Sequence, residues 1–258
     1  MTLTQYFRLV DTQARMALKA DASEYFFGYI WWVLEPLLFV GIFYLVFNTI
    51  LVSGRDDYLI MLMCGQLTFI WFSKSVSHSA RSIISNVGLI GNIDIPKTMF
   101  PLAQVQEGLY KQAIVFLLLM VVLVFSGYAV SVSWFWLIPV IIVNYIMIVA
   151  CALIASVLVC FIRDISMFIP LAMMFLMFSS GVFFDFRDLP DSQMASLIMT
   201  YNPMAFLLDA YRQVLMHQSM PDLLQLSRIG LVFAVITAVV ASWMRKYSRL
   251  LALKALTA

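Results

Sequence analysis

The sequence predicts an all-α membrane protein with six transmembrane helices, a prediction that rests on its composition and on the length of its apolar runs. Of the 258 residues, 63% are hydrophobic and 12% are charged, and the mean hydropathy is +0.95. Water-soluble domains of this size are normally far less apolar. Six runs reach the length of about 20 residues that crosses a bilayer. The predicted spans are 31–52, 58–78, 109–130, 134–162, 165–184 and 226–245.

The distribution of basic residues predicts that both termini are cytoplasmic. In this orientation twelve Lys and Arg residues fall in cytoplasmic segments, whereas four, Arg55, Arg187, Arg212 and Arg228, fall outside. Lys and Arg are in excess in the cytoplasmic loops of membrane proteins, so the division supports this topology. Residues 2–24 carry charges in place of the apolar core of a signal peptide, and we expect an uncleaved cytoplasmic start.

Residues 1–27 are predicted to form an amphipathic helix in the cytoplasmic interface. The apolar residues that share one helical face are Leu3, Phe7, Val10, Ala14, Ala17 and Leu18. Charged residues lie elsewhere around the helix, an arrangement typical of helices that lie in the plane of the interface. Two roles remain open, a passive membrane anchor and a platform that touches a cytoplasmic partner.

An acidic residue and a proline interrupt the start of the first span, in the segment GYIWWVLEP. A carboxylate at the centre of a membrane helix costs roughly 2.5 to 3.5 kcal/mol. Glu35 lies only about one turn inside the span, where water or a basic partner such as Lys74 or Arg81 lowers that cost. Pro36 fits the opening turn, or it bends the helix. We therefore interpret Glu35 and Pro36 as an elbow, with the direction of the Glu35 side chain open.

The cytoplasmic connection 79–108 contains a short apolar turn at residues 87–90. Pro96 and Pro101 follow it and are expected to stop any long helix. Exposed Leu and Ile on the cytoplasmic side suit docking into a groove of a soluble protein. The alternative is a solvated loop whose apolar residues fold back on the bilayer.

The outer region 185–225 contains two apolar segments, 192–200 and 204–216, that are too short to cross a bilayer. Asn202 and Pro203 separate them, and a proline is well placed to open the second helix. We predict re-entrant helices, since irregular backbone at membrane depth occurs only inside protein or beside water.

Neither a metal site nor a nucleotide site is expected in this chain. None of the ten glycines is followed by Lys, so the GxxxxGK[ST] loop that cradles nucleotide phosphates is absent from the sequence. The two histidines, His78 and His217, fall on opposite sides of the predicted membrane. If ATP drives transport, another chain binds it.

Aromatic residues recur on one face of the first and fifth predicted spans. In the first span they are Trp32, Phe39, Phe43 and Phe47, and in the fifth they are Phe168, Phe175 and Phe178. Aromatic faces suit the C–H surfaces of sugar rings, whereas pores for small ions are lined by charges or carbonyls. Packing or lipid contact is the alternative explanation.

Four motifs, in order, resemble those of the type-2 ABC export permeases that carry lipid-linked polysaccharides such as O-antigen, capsule or teichoic acid. The first is GYIWWVLEP, through Gly28, Trp31, Leu34 and Pro36. The second is NVGLIGNIDIPKTMFPL, through Asn86, Leu89, Ile90, Pro96 and Pro101. The third pairs FIRDISMFIP with SSGVFF, and the fourth is YNPMAFLLDAYRQ, through Asn202, Pro203 and Arg212.

The resemblance implies a homodimer in the bacterial inner membrane that works with two copies of a separate ATPase, which binds ATP and Mg²⁺. It implies ATPase contacts at Asn86, Val87, Leu89, Ile90 and Asp94, together with the N-terminal helix. It implies an outer gate that includes Asn202, Pro203 and Arg212, and a glycan path along the aromatic faces. O-antigen is the first substrate expected and capsule the second. A permease for a drug or a small lipid, a membrane-embedded enzyme and a structural scaffold are the alternatives.

Overall fold

In the computed structural model the protein is an assembly of α-helices. The structure describes residues 2–24, 26–46, 57–92, 95–188 and 192–257, and within them it contains no β-strand. The helices are α1 (Leu3–Glu24), α2 (Trp31–Tyr44), α3 (Tyr58–Ser85), α4 (Val87–Asn92), α5 (Met99–Phe125), α6 (Leu137–Phe161), α7 (Ile165–Ser179), α8 (Ser192–Tyr201), α9 (Pro203–Leu215), α10 (Leu223–Lys246) and α11 (Ser248–Thr257).

Four helical segments are individually long and apolar enough to cross a membrane. They are α3, α5, the segment Val132–Phe161 that contains α6, and α10. The helices α1 and α2 meet this criterion only as a pair, bent by 101°. The all-α, multi-pass membrane protein predicted from the sequence is therefore confirmed.

Two of the predicted spans correspond to shorter helices. The helix α7 has 15 residues and ends at Ser179, within the predicted span 165–184. At 1.5 Å per residue it is about 22 Å long, less than the roughly 30 Å of a hydrocarbon core. The helix α2 occupies the first part of the predicted span 31–52, of which residues 47–52 lie outside the described part of the chain.

The core is built around α3. This helix is buried along almost its whole length and packs against α5, α6 and α9. Its first half is apolar except for Gln66 and Thr68, both buried, and a helix that is apolar nearly all round belongs inside a bundle. Its second half carries small serines that allow close packing, and the Ser79 hydroxyl donates to the carbonyl oxygen of Pro101 at 3.2 Å. By contrast, α10 leaves almost all of its apolar side chains exposed or half-buried, as expected of a helix that contacts lipid.

The bundle has two distinct ends. At one, which we call the α1 end, the end of α3 and the start of α5 meet α1, α4 and α11; the Tyr6 and Thr98 hydroxyls are 2.7 Å apart there. At the other, the α9 end, the start of α3 meets α9 and the segment 180–188. The Tyr58 hydroxyl donates to the carbonyl oxygen of Phe183 there, at 3.2 Å.

Two features differ from the sequence predictions. The helix α5 begins at Met99, ten residues before the predicted span 109–130, with Pro101 in its first turn. The prediction that Pro101 stops a long helix is wrong, because a proline in the first turn lacks an N–H that would have had no intrahelical partner. The helix α11 was not predicted; it packs against α6 and α4.

Candidate functional site

The bend between α1 and α2, which leads into the elbow at Glu35 and Pro36, depends on a glycine. Gly28 has a φ of +50°, a conformation that glycine adopts without strain, and a Cβ at this position would lie 3.3 Å from the carbonyl oxygen of Ala22. A short 3₁₀ turn, Gly28–Ile30, then leads into α2. Pro36 lies inside α2, beyond its first turn, so of the two positions left open for this proline the opening turn is not the one observed.

Glu35 has an ion partner inside the chain. Its Oε2 accepts a hydrogen bond from Lys74 Nζ at 2.5 Å, which joins α2 to α3. Lys74 was one of two partners named from the sequence; the other, Arg81, donates to Ser166 Oγ at 3.1 Å instead. Glu35 also lines a cavity, so ion pairing and access to an internal space occur together.

A second charged network fastens the end of α1 to α5. Lys111 Nζ lies 2.7 Å from Asp21 Oδ2 and 2.8 Å from Glu107 Oε1. Asp21 also accepts a hydrogen bond from Trp32 Nε1 at 2.7 Å, and Lys111 Nζ lies 5.3 Å from the centre of the Trp32 ring. Burial raises the pKa of Asp21. The hydrogen bonds from Lys111 and Trp32 together outweigh this effect, so the pKa of Asp21 is below its usual value.

The predicted apolar face of α1 is divided between two environments. Val10 and Ala14 are buried against the protein, whereas Leu3 and Phe7 are exposed. Tyr110 of α5 donates a hydrogen bond to Asp11, which lowers the pKa of that carboxyl. The helix therefore lies on α5 and still presents apolar side chains at its start.

The predicted aromatic path residues do not share one environment. Trp32 points into the chain, where it contacts Asp21 and Lys111. The exposed aromatic side chains are Phe39, Phe168, Phe175 and Phe178, and Phe47 lies outside the described residues.

Phe183 joins the two aromatic helices. Its ring centre lies 4.7 Å from that of Phe43 on α2 and 5.2 Å from that of Phe178 on α7. The sequence contained Phe183 only as part of the motif SSGVFF, and the aromatic pair that follows Gly181 was the one signal that could have identified it.

The predicted coupling turn forms α4, and its two central side chains differ in exposure. Leu89 is 40% exposed, whereas Ile90 is 7% exposed. Ile90 belongs to the buried core together with Leu251 and Ala255 of α11, the helix that packs on α4. Val87 packs at the edge of the core, and the side chain of Asn86 donates to the carbonyl oxygen of Ser82 at 2.8 Å. Asp94 lies outside the described residues.

The predicted gate residues hold α9 against the segment that follows α7. Asn202 caps α9 by accepting hydrogen bonds from the backbone N–H groups of Met204 and Ala205, and Pro203 is the first residue of the helix. Asn202 Nδ2 also donates to Ser180 Oγ at 3.0 Å. The start that the sequence predicted for this helix is confirmed.

Arg212 is a buried cation in the same region. It is 1% exposed and donates to the carbonyl oxygens of Val182 at 2.9 Å and Phe184 at 3.1 Å. These bonds fasten the irregular backbone after α7 to α9. Nearby, Arg187 Nε lies 3.2 Å from Asp209 Oδ1. In the described residues no three His, Cys, Asp or Glu side chains are grouped so that they could hold a metal ion.

Comparison with known proteins supports a role in transport. No family model matches the sequence. Two proteins of Klebsiella pneumoniae, each named O-antigen export system permease protein RfbA, are 29% identical to this chain over 202 residues, which cover 78% of this chain and 77% of the relative. A protein of the same name from Myxococcus xanthus is 25% identical over 239 residues, 91% of this chain and 90% of the relative. The resemblance that the motifs indicated is thereby confirmed: the chain is similar to three proteins that are named as O-antigen export permeases.

Proposed function

We propose that this chain is the transmembrane permease subunit of an ABC exporter that moves O-antigen, a lipid-linked polysaccharide, across the bacterial inner membrane. The observation that carries the proposal is the similarity to three O-antigen export permeases over 78% to 91% of this chain. The sequence contains no phosphate-binding GxxxxGK[ST] loop, so ATP and Mg²⁺ are bound by a separate ATPase subunit.

The proposed topology has six crossings, α2, α3, α5, α6, α7 and α10, with both termini cytoplasmic. The α1 end then faces the cytoplasm, and α8 and α9 are re-entrant helices at the outer face. The separation of α1 and α9 to opposite ends of the bundle supports this arrangement. Cysteines introduced in place of the exposed residues Met220 and Leu256 test this topology with a thiol reagent that does not cross the membrane. The cysteine at 220 should react with reagent on the outer side, and the cysteine at 256 with reagent on the cytoplasmic side.

The glycan path lies where two copies of this chain meet. Along α7 the one buried side chain is Ile169, and the helix exposes an apolar surface that includes Phe168 and Phe175. Helix α2 exposes Phe39 in the same manner. A homodimer formed through these faces covers the apolar surface and surrounds a passage lined by aromatic rings, which suit the C–H faces of sugars.

Two copies of the ATPase dock at the α1 end, and Leu89 is the side chain of α4 that contacts them. Its exposure supports this assignment, because an exposed apolar side chain on a short helix fits a groove on a soluble partner. The start of α1 forms the remainder of this surface.

Deletion of the gene tests the proposed function. We expect O-antigen to disappear from the cell surface and lipid-linked glycan to accumulate in the cytoplasmic leaflet, and a plasmid copy should restore export. A permease for drugs or small lipids would leave that pool unchanged. Unchanged surface O-antigen would refute the proposal.

A further inference from the structure

A cavity of about 250 Å³ lies at the α1 end, between the elbow, α3 and α5. Three tryptophans contribute to its wall, Trp31 and Trp32 of α2 and Trp71 of α3. The two ion-paired networks that fasten the elbow to α3 and α5 form much of the remainder. The cavity therefore combines aromatic and charged side chains within one protomer.

Two buried polar groups on this wall have no hydrogen-bond partner in the protein. They are the indole N–H of Trp71 and the hydroxyl of Ser75, and each of these residues is 3% exposed. Buried polar groups are normally hydrogen-bonded, and an indole N–H can only donate. These atoms call for an occupant that carries acceptor oxygens.

Gly108 lets α5 pack directly against Ser75, close to Trp71. A Cβ at this position of α5 would lie 2.4 Å from Ser75 Oγ and 3.7 Å from Trp71 Nε1. Any larger residue would press against the hydroxyl or displace it. The glycine thus allows α5 to approach α3 closely at the point where the unpartnered groups lie.

The charges of the cavity favour a neutral occupant over an anion. On its described wall three carboxylates, Asp21, Glu35 and Glu107, face two lysine ammonium groups, and each ammonium is already within 2.8 Å of a carboxylate oxygen. A phosphate would be repelled by the excess negative charge of the carboxylates, and both lysines are already paired with a carboxylate. Hydroxyl groups can instead donate to the carboxylates, and the amides of Gln104 and Gln112 add further donors and acceptors.

The volume of the cavity and its aromatic walls suit a ligand of one sugar ring. The volume is below the roughly 300 to 1,000 Å³ of pockets for drug-sized ligands. Indole faces carry negative potential, which attracts the polarised C–H groups of a pyranose. We propose that this cavity binds a single neutral sugar ring of the exported glycan, an inference that rests on the proposed function.

Binding can be measured on the full-length chain in lipid nanodiscs by saturation-transfer NMR. The probes are the methyl glycosides of glucose, galactose, mannose and N-acetylglucosamine, with inorganic pyrophosphate as the anionic comparison. Trp71→Phe removes the indole N–H and keeps a ring, and Ser75→Ala removes the hydroxyl. Trp134→Phe is the matched control, because Trp134 also has an unpartnered buried indole N–H but does not line this cavity.

We expect at least one glycoside to bind, and both cavity variants to weaken its binding about five-fold, the effect of one lost neutral hydrogen bond. Trp134→Phe should leave the affinity unchanged. The inference is overturned if no glycoside binds, if pyrophosphate binds in their place, or if the cavity variants bind as the wild type does. Gene deletion tests the proposed function separately from the binding experiment. If deletion abolishes export but no glycoside binds, only the inference about the cavity is refuted. If export survives the deletion, the proposed function is refuted.

Discussion

Lys74 of α3 holds the carboxylate of Glu35, on α2, at 2.5 Å. The acidic residue that interrupts the first apolar run is thus neutralised by a lysine from the neighbouring helix. Each charge compensates the other where a lone charge would be costly, and the elbow is fixed to the most buried helix of the bundle.

The first prediction concerns this pair. Glu35→Gln and Lys74→Met should each lower the thermal stability of the purified protein, and the double variant should lose less than the sum of the two. Since the side chains of Lys74 and Glu35 are 42% and 31% exposed, we expect a coupling energy of at most about 1 kcal/mol. A double-mutant cycle on thermal unfolding measures it. The exposed pair of Asp11 and Arg15, treated in the same way, serves as a control with smaller coupling; additive losses at Glu35 and Lys74 would contradict the prediction.

The second prediction is a dependence on pH. The folded pKa of Asp21 is below its usual value, so its carboxylate stabilises the protein at neutral pH and this contribution disappears as the pH falls below about 4. The melting temperature of the wild type should fall more steeply between pH 5 and pH 3 than that of Asp21→Asn. Lys111→Met removes the cation and should reduce the slope in the same way. Equal slopes of melting temperature against pH in all three proteins would show that Asp21 contributes nothing to the pH dependence of stability.

Local signals explain what the sequence could predict. Four long apolar helices follow from hydropathy, and the start of α9 follows from Asn202, whose side chain caps backbone N–H groups, and from Pro203, which suits the first helical position. Each of these features depends on residues that are close in the chain.

The features that were missed depend on contacts distant in sequence. Phe183 links α2 and α7 only because the chain turns back after α7. Trp32 was grouped with Phe39 by helical spacing, but Asp21 and Lys111 hold it inside the chain. The helix α11 gains its stability from α4 and α6, so its ten residues carried too little signal alone.

The third prediction separates docking from folding on α4. Leu89→Asp should leave the amount of protein in the membrane unchanged and uncouple ATP hydrolysis from export, because this side chain is exposed. Ile90→Asp should instead lower that amount, because it places a carboxylate in the core beside α11. Immunoblots of membranes, combined with ATPase and export assays, distinguish the two effects. Normal export by Leu89→Asp would remove Leu89 from the ATPase interface.

The fourth prediction separates aromatic residues that face the proposed glycan path from those that support the fold. Phe39→Ala and Phe175→Ala should slow the export of long chains at unchanged abundance, since both side chains are exposed. Trp32→Ala should reduce abundance, because it removes a hydrogen bond to Asp21 and a contact with Lys111. Parallel loss of export and abundance in the two Phe variants would indicate packing rather than a path.

The fifth prediction concerns the α9 end. Asn202→Ala should cost about 1 kcal/mol of stability, typical of a lost helix cap, and Asn202→Asp should retain most of it, since aspartate also caps well. Arg212→Met should cost about 3 kcal/mol or more, because two buried carbonyl oxygens lose their donor. Met220→Ala, a change at an exposed residue outside α9, is the control. Thermal unfolding ranks the stability of the variants. If Arg212→Met is no less stable than Asn202→Ala, Arg212 does not hold the segment after α7 in place. A role of Arg212 in gating, and not in stability, would then explain the data better.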